Sequence, residues 1–401
     1  MPAPRLSVIV VSWARPRALA RCLIALSQLR STRFEVIVVA DEDGLAVARA
    51  LPFSERITYL EQKVGNISAA RNQGIAAAAG EIVAFVDDDA VPEPDWAETI
   101  LSAFADPGLA AVTGPVIGRN GISLQWGRMA VDRLGRDRWL AAGEAPGPGE
   151  TVKLHGTNMA FRREILALSG GFDPVFRFYL DETDLARRLV QAGQSLRHVP
   201  GMRVHHGFAK SPRRRADRIP TDLTDIGASS VIFLKKHAPD ALEGAVDHLI
   251  EDQRLRLMRL ARARKIGPTE IRHLTQSLRS GIDEGRTRDL PSVVAIPATS
   301  RSFVPLRDDL PPPMSFHDGW WHKAKALCAQ AADQVAQGNP TALVLLEPTP
   351  RKHRIVFTDG GWWEQSGGLF GPSDRTERRV QLWRYRDRIA HEKARLFAPG
   401  D

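Results

Sequence analysis

The chain has 401 residues, 43% of them hydrophobic and 25% charged, with a formal net charge of +8 and only two cysteines, Cys22 and Cys328. That length predicts about two domains of ordinary soluble composition, and two distant cysteines exclude a disulfide framework and fit a reducing compartment. The N-terminus has no leader-like pattern and no run approaches the ~20 apolar residues that cross a bilayer, so the cytoplasm is the expected location.

Over residues 1–120 short apolar runs alternate with helical patterns, which predicts a mostly parallel sheet with crossover helices. Strands are expected over 6–11, 34–39, 57–60, 82–86 and 110–116. The helix before the fourth strand takes Asn66 or Ser68 as its N-cap and Gly80 as its stop. The run IVAFV is apolar at every position, as a strand covered on both faces requires. It ends in Asp87, Asp88 and Asp89. Carboxylates at the carboxyl end of such a strand point into the crevice where open α/β sheets bind ligands. Hard oxygens there suit Mg²⁺ or Mn²⁺, and either cation suits a diphosphate. The competing reading is an acidic turn that leads into the next helix.

Residues 119–150 read as irregular and end in a Gly/Pro-rich stretch where a mobile loop over a site is expected. A strand over 157–161, a helix, and a second helix over 184–192 follow. His205 and His206 come after a short strand-like run. Neighbouring strand residues face opposite sides, so only one of the two can reach a metal. Arg213, Arg214, Arg215 and Arg218 follow closely and are expected to close over phosphates.

Residues 223–289 read as helical and basic. Arg254, Arg256, Arg259, Arg262, Arg264 and Lys265 decorate one helix, as either a solvated face or a surface for phosphates or anionic lipid. No zinc-finger, homeodomain or aromatic RNA-binding pattern accompanies them, so nucleic acid is not expected. A proline-containing linker or arm over 290–313 precedes a small α+β domain, 314–401, with a helix over 323–337, strands at ALVLL and RIVFT, and an Arg-rich final helix. Five of the nine tryptophans lie there, Trp320, Trp321, Trp362, Trp363 and Trp383. They read first as core of that domain and second as sugar-stacking planes.

Seven blocks occur in order: LSVIVVSWARPRAL, FEVIVVADEDG, NISAARNQGIAAAAGEIVAFVDDDA, HGTNMAFRREIL, GGFDPVF, DETDLARRLVQAG and VPGMRVHHG. This series resembles family 2 glycosyltransferases, inverting enzymes of the GT-A fold with a DXD metal motif, over roughly residues 5–210. The resemblance implies a GT-A domain over 1–222, Rossmann-like with helices on both faces of the sheet. It implies a nucleoside-diphosphate sugar of UDP, dTDP or GDP type as donor and a glycan or lipid-linked hydroxyl as acceptor, in surface polysaccharide synthesis, with Mn²⁺ or Mg²⁺ as cofactor.

By position, the resemblance makes Asp89 and Asp87 metal ligands, with His205 or His206 completing the shell. It puts Ser12, Arg15, Asp41 or Asp43, Arg71, Asn72, Asp87 and Asp88 on the nucleotide sugar, and Gly156, Thr157 and Asn158 on the acceptor side. The family's Glu-Asp pair appears reversed as Asp181-Glu182; position favours Glu182 as base, and Asp181 stays open. Ala40 before Asp41, and Trp13 in the first turn, depart from the family pattern and leave the nucleobase open. The basic helix after Arg254 would meet an anionic membrane face if the acceptor is lipid-linked. Two rivals remain. A nucleotidyltransferase would carry a glycine-rich loop after the first strand, which VSWARPRAL lacks. A non-catalytic carbohydrate-binding scaffold would not need its acidic sets intact.

Overall fold

The computed structural model describes residues 4–207 and 209–397. The chain opens with β1 (Leu6–Ser12), α1 (Pro16–Ser27), β2 (Phe34–Ala40), α2 (Glu42–Arg49), β3 (Ile57–Glu61), α3 (Ile67–Ala77) and β4 (Ile82–Asp87). Next come β5 (Ala90–Pro92), α4 (Trp96–Ala103), β6 (Leu109–Thr113), β7 (Val116–Ile117), β8 (Leu124–Trp126), β9 (Met129–Val131), β10 (Asp137–Trp139) and β11 (Thr151–Val152). Then follow β12 (Asn158–Arg162), α5 (Arg163–Leu168), α6 (Asp181–Gln191), β13 (Ser195–His198) and β14 (Val204–His206).

Seven of these strands form one sheet in the order β13-β6-β12-β4-β1-β2-β3, parallel except where β12 runs antiparallel to β4 and β6. The alternation along β1 sorts its side chains. Leu6, Val8 and Val10 pack with α1 and α4 on one face, whereas Ile9 packs with α3 and α6 residues on the other. Both faces are therefore covered, as the continuous apolar strands require. The expected mixed α/β architecture holds.

Details differ from expectation. Asn66 is the N-cap of α3, its Oδ1 accepting from the Ala69 amide at 3.1 Å, whereas the Ser68 hydroxyl donates to the Phe176 carbonyl. The helix ends at Ala77, before Gly80. Gly80 is needed for close approach: a Cβ there would sit 2.7 Å from the Arg5 carbonyl oxygen. The expected strand over 110–116 breaks after Thr113, because Gly114 lies against the Met202 backbone, 1.9 Å from a would-be Cβ. Residues 119–150 are not one irregular loop: β9 pairs with β10 and β11 in a small sheet, and β5-β14-β7-β8 form another.

Three helices follow, α7 (Thr224–His237), α8 (Leu242–Arg262) and α9 (Pro268–Thr287). The first and third approach at backbone distance: a Cβ on Gly281 would lie 2.0 Å from the Thr224 carbonyl oxygen, and one on Gly227 2.5 Å from that of Leu278. Alanine at 281 would gain helix propensity worth about 1 kcal/mol, but the overlap falls on backbone that cannot rotate away. Gly281→Ala is thus expected to lose about 1–3 kcal/mol net, read as a lower denaturant midpoint with an unchanged slope.

The 290–313 segment is a docked arm. Ile296 donates its amide to Ala167, Leu306 donates to Phe34 and is buried in the first core, and Asp308 pairs with Arg56. It leads to β15 (Ser315–Trp320), α10 (Ala324–Ala336), β16 (Thr341–Glu347), β17 (Arg354–Phe357), β18 (Trp363–Gly368) and α11 (Tyr385–Arg395), with a sheet ordered β15-β16-β18-β17. Of its tryptophans only Trp363 is core; Trp321 is 57% exposed and the other three are half-buried. This unit leans on the first one. Ala342, Phe357 and Trp363 cluster with Ala25 and Val91, and Gln28 donates to the Gly361 carbonyl at 2.7 Å.

Candidate functional site

The crevice lies at the carboxyl ends of β1 and β4. Asp87 ends β4, and the turn behind it buries Asp88 and Asp89 almost completely. Carboxylates so deep survive only with partners, and each has them. The Ser12 hydroxyl donates to Asp88 Oδ2 at 2.7 Å, and the Arg15 guanidinium reaches Asp88 at 3.1 Å and Asp89 at 3.2 Å. Asp89 Oδ2 also accepts from the Ala209 amide at 2.7 Å, while Oδ1 meets His206 Nε2 at 3.1 Å.

The two neighbours part electrostatically. Burial, added to by Asp89 and only partly offset by Arg15, pushes Asp88 up to about 7. Burial also works against Asp89, but His206, Arg15 and the Ala209 amide outweigh it and hold that carboxyl well below the usual range. Asp89 is thus the permanent anion of the pair.

One ligand atom each from Asp87, Asp89 and His206 fall within 4.8 Å of one another. Gln125 Oε1 lies 3.0 Å from His206 Nδ1. With a metal bound, an Nδ1–H donated there would leave the Nε2 lone pair for the ion, the usual support for a ligating imidazole. Two carboxylates and one such imidazole make a donor set that fits Mn²⁺ or Mg²⁺. His205 does not belong to it. The strand alternation turns it the other way, 3.0 Å from Glu93 and edge-on to Trp363 at 4.8 Å. Of the arginines after 210, Arg214 comes within 3.6 Å of Asp89, whereas Arg213 pairs with Asp225 and Arg215 with Asp217.

A second carboxylate pair faces the first. Asp181 and Glu182 open α6, directly after Tyr179 and Leu180, both left-handed at φ 72° and 64°. Two such non-glycine residues in a row are strained, a cost that clusters at functional sites. Asp181 does not cap the helix; it pairs with Arg71. That arginine is buried. It also donates to the Gly156 carbonyl at 2.9 Å and lies 3.6 Å from Asp87. One guanidinium thus links both carboxylate sets.

Burial, assisted by Glu182 and opposed by Arg71, pushes Asp181 up to about 7. For Glu182 burial is outweighed, chiefly by Lys153, and its carboxyl lies well below the usual range. The Lys153 ammonium is 3.1 Å from Glu182 Oε1, 2.6 Å from the Thr183 hydroxyl and 3.6 Å from Asp137. Sequence reasoning missed Lys153 and Asp137: a lone lysine and an aspartate in a supposed loop carry no motif. It missed Trp126 too, whose ring stacks on His155 at 5.7 Å and tilts over His206 at 5.9 Å. Burial holds His155 down at about 4, so its ring is neutral.

Several expected contacts are spent on structure. Asn72 exchanges two hydrogen bonds with the Phe172 backbone and pins the glycine loop. Asn158 is fully buried between Trp96, Pro115 and Met202. Asp41 caps α2 through the Gly44 amide and accepts from the Ala14 amide at 2.6 Å, holding the turn after β1, while Asp43 is exposed. Thr157 is buried beside Gly156, whose carbonyl accepts from Arg71.

Residues 7–168 match the family model described as Glycosyl transferase family 2. Among curated proteins, the pre-mycofactocin glycosyltransferase of Mycobacterium tuberculosis is 35% identical over 144 residues, 35% of this chain and 29% of the relative. The succinoglycan biosynthesis protein ExoM of Rhizobium meliloti is 29% identical over 219 residues, 49% of this chain and 64% of the relative. The chain therefore spans less than two thirds of either. A solved mannosyltransferase from Pyrobaculum calidifontis, PcManGT in complex with GDP-Man and Mn²⁺, superposes with a TM-score of 0.44 at 17% identity, over 71% of this chain and 87% of that one. The match to the family model ends at residue 168, short of α6, the three-helix segment and the C-terminal unit. What it covers is six of the seven strands of the main sheet and the aspartates at its crevice, and over that stretch the chain is similar to family 2 glycosyltransferases.

Proposed function

We propose that this chain is an inverting, metal-dependent glycosyltransferase that moves a sugar from a nucleoside diphosphate to a hydroxyl of a glycan or lipid-linked acceptor. One observation carries the reading: an Asp87–Asp89–His206 donor set, with Asp89 and His206 buried, and an Asp181–Glu182 pair face each other across Arg71. Residues 1–222 form the catalytic unit in this reading. Asp87, Asp89 and His206 would hold Mn²⁺ or Mg²⁺, which when bound neutralises charge on a departing diphosphate as a Lewis acid. Ser12, Arg15 and Arg71 hold the donor. Glu182 takes the proton of the acceptor hydroxyl as its oxygen bonds to the anomeric carbon, and the bond from that carbon to the diphosphate breaks on the opposite side. A carboxylate held ionised suffices as base when the hydroxyl becomes acidic only as the new bond forms.

Among the described residues no helix is long and apolar enough to cross a membrane. The second half of α8 exposes Leu255 and Met258 among Arg254, Arg259 and Arg262. Such a surface favours anionic lipid, and we place the chain in the cytoplasm, at the inner face of a membrane bearing its acceptor. The test of inversion needs no acceptor but water. UDP-α-glucose or GDP-α-mannose turned over with Mn²⁺ should release the β-anomer first, read by proton NMR before mutarotation. Release of the α-anomer first would refute the single displacement.

A further inference from the structure

Lys153 is buried, with only 10% of its side chain exposed. It lies just past β11 in the small sheet that also brings in Asp137 from β10. A buried ammonium is tolerated only with compensation, here from Glu182 and Asp137. The contacts are directional. The ammonium meets Glu182 at Oε1 and donates to the Thr183 hydroxyl, and that hydroxyl donates at 3.1 Å to the same Oε1. Both hold Oε1.

Resting on the reading of Glu182 as base, we infer that Lys153 is its positioning residue: with Thr183 it pins Oε1 and keeps the carboxyl ionised and turned toward the acceptor. The three-stranded sheet then orients the base and does not act as a lid. Other charged or titratable groups surround Glu182. Asp137 lies on β10, His155 and Lys153 on the segment after β11, Tyr179 and Asp181 around the start of α6, and Arg71 on α3. Arg256 of α8 acts on Tyr179. Asp137 and Asp181 disfavour ionisation of Glu182; Lys153 and Arg71 favour it. Without Lys153 burial loses its chief counterweight, and the carboxyl must rise.

The test uses the full chain labelled with [δ-¹³C]glutamate, the Glu182 resonance being the one lost in Glu182→Gln. In Lys153→Met its midpoint should rise by about one pH unit or more. Lys153→Arg should restore it, and Asp137→Asn should lower it. In parallel, the acid limb of kcat for hydrolysis of UDP-glucose or GDP-mannose should move up with the carboxyl in Lys153→Met, with KM within about twofold. An unmoved Glu182 midpoint, with kcat reduced equally at every pH, would overturn the inference and mark Lys153 as packing only. If Glu182→Gln kept full turnover while the resonance still shifted in Lys153→Met, the assignment of the base would have failed, and the contact would stand without a catalytic role.

Discussion

Glu182→Gln is expected to lower turnover by about 10²–10⁴-fold, the usual contribution of a positioned general base, equivalent to about 3–5 kcal/mol of barrier. The amide keeps the volume and the contact to Lys153 but cannot accept the proton. The donor site lies across Arg71, so nucleotide affinity should stay within about twofold. Asp181→Asn is the control. Asp181 is held up near 7 and locked to Arg71, so its loss should raise KM for the donor more than it lowers kcat. The check is hydrolysis kinetics beside calorimetric nucleotide binding. If Asp181→Asn abolished kcat and Glu182→Gln spared it, the two roles would be exchanged.

The second large effect belongs to Asp89. It is the buried carboxylate kept ionised by His206, Arg15 and the Ala209 amide, and it joins Asp87 and His206 in the only three-residue donor set among the described residues. Asp89→Ala should remove metal-dependent nucleotide binding altogether. A ligand present at a hundred times its Kd adds about 2.7 kcal/mol to the native state, and the variant should forfeit that full increment in a thermal melt with nucleotide and Mn²⁺. Asp88→Asn should forfeit much less: Asp88 faces Ser12 and Arg15 and is pushed up to about 7 by burial. Equal losses in both variants would show that the turn, and not the ligand set, was being measured.

Much of this was legible in the chain. Continuous apolar runs at β1, β2 and β4 wrote the buried sheet, and three acidic residues at the end of β4 marked the crevice. What escaped were features set by tertiary contact. Period-2 alternation said that one of His205 and His206 could face a metal, but only the pairing of β14 with β5 and β7 decides which. Gly80 carried a helix-stop signature, yet it is glycine because the Arg5 backbone passes beside it. The three short strands after residue 128 have no local signal: each is two or three residues long and stable only as a sheet. With them hid Asp137 and Lys153. Asn72 and Asn158 fitted family positions but answer to buried backbone groups.

The most direct test of the central claim is thermal stabilisation of the wild-type chain by UDP, GDP, dTDP and CMP, each with and without Mn²⁺. A shift is expected with one nucleoside diphosphate, requiring the metal and vanishing in Asp89→Ala. No shift with any of the four, or one of equal size without the metal, would contradict the claim.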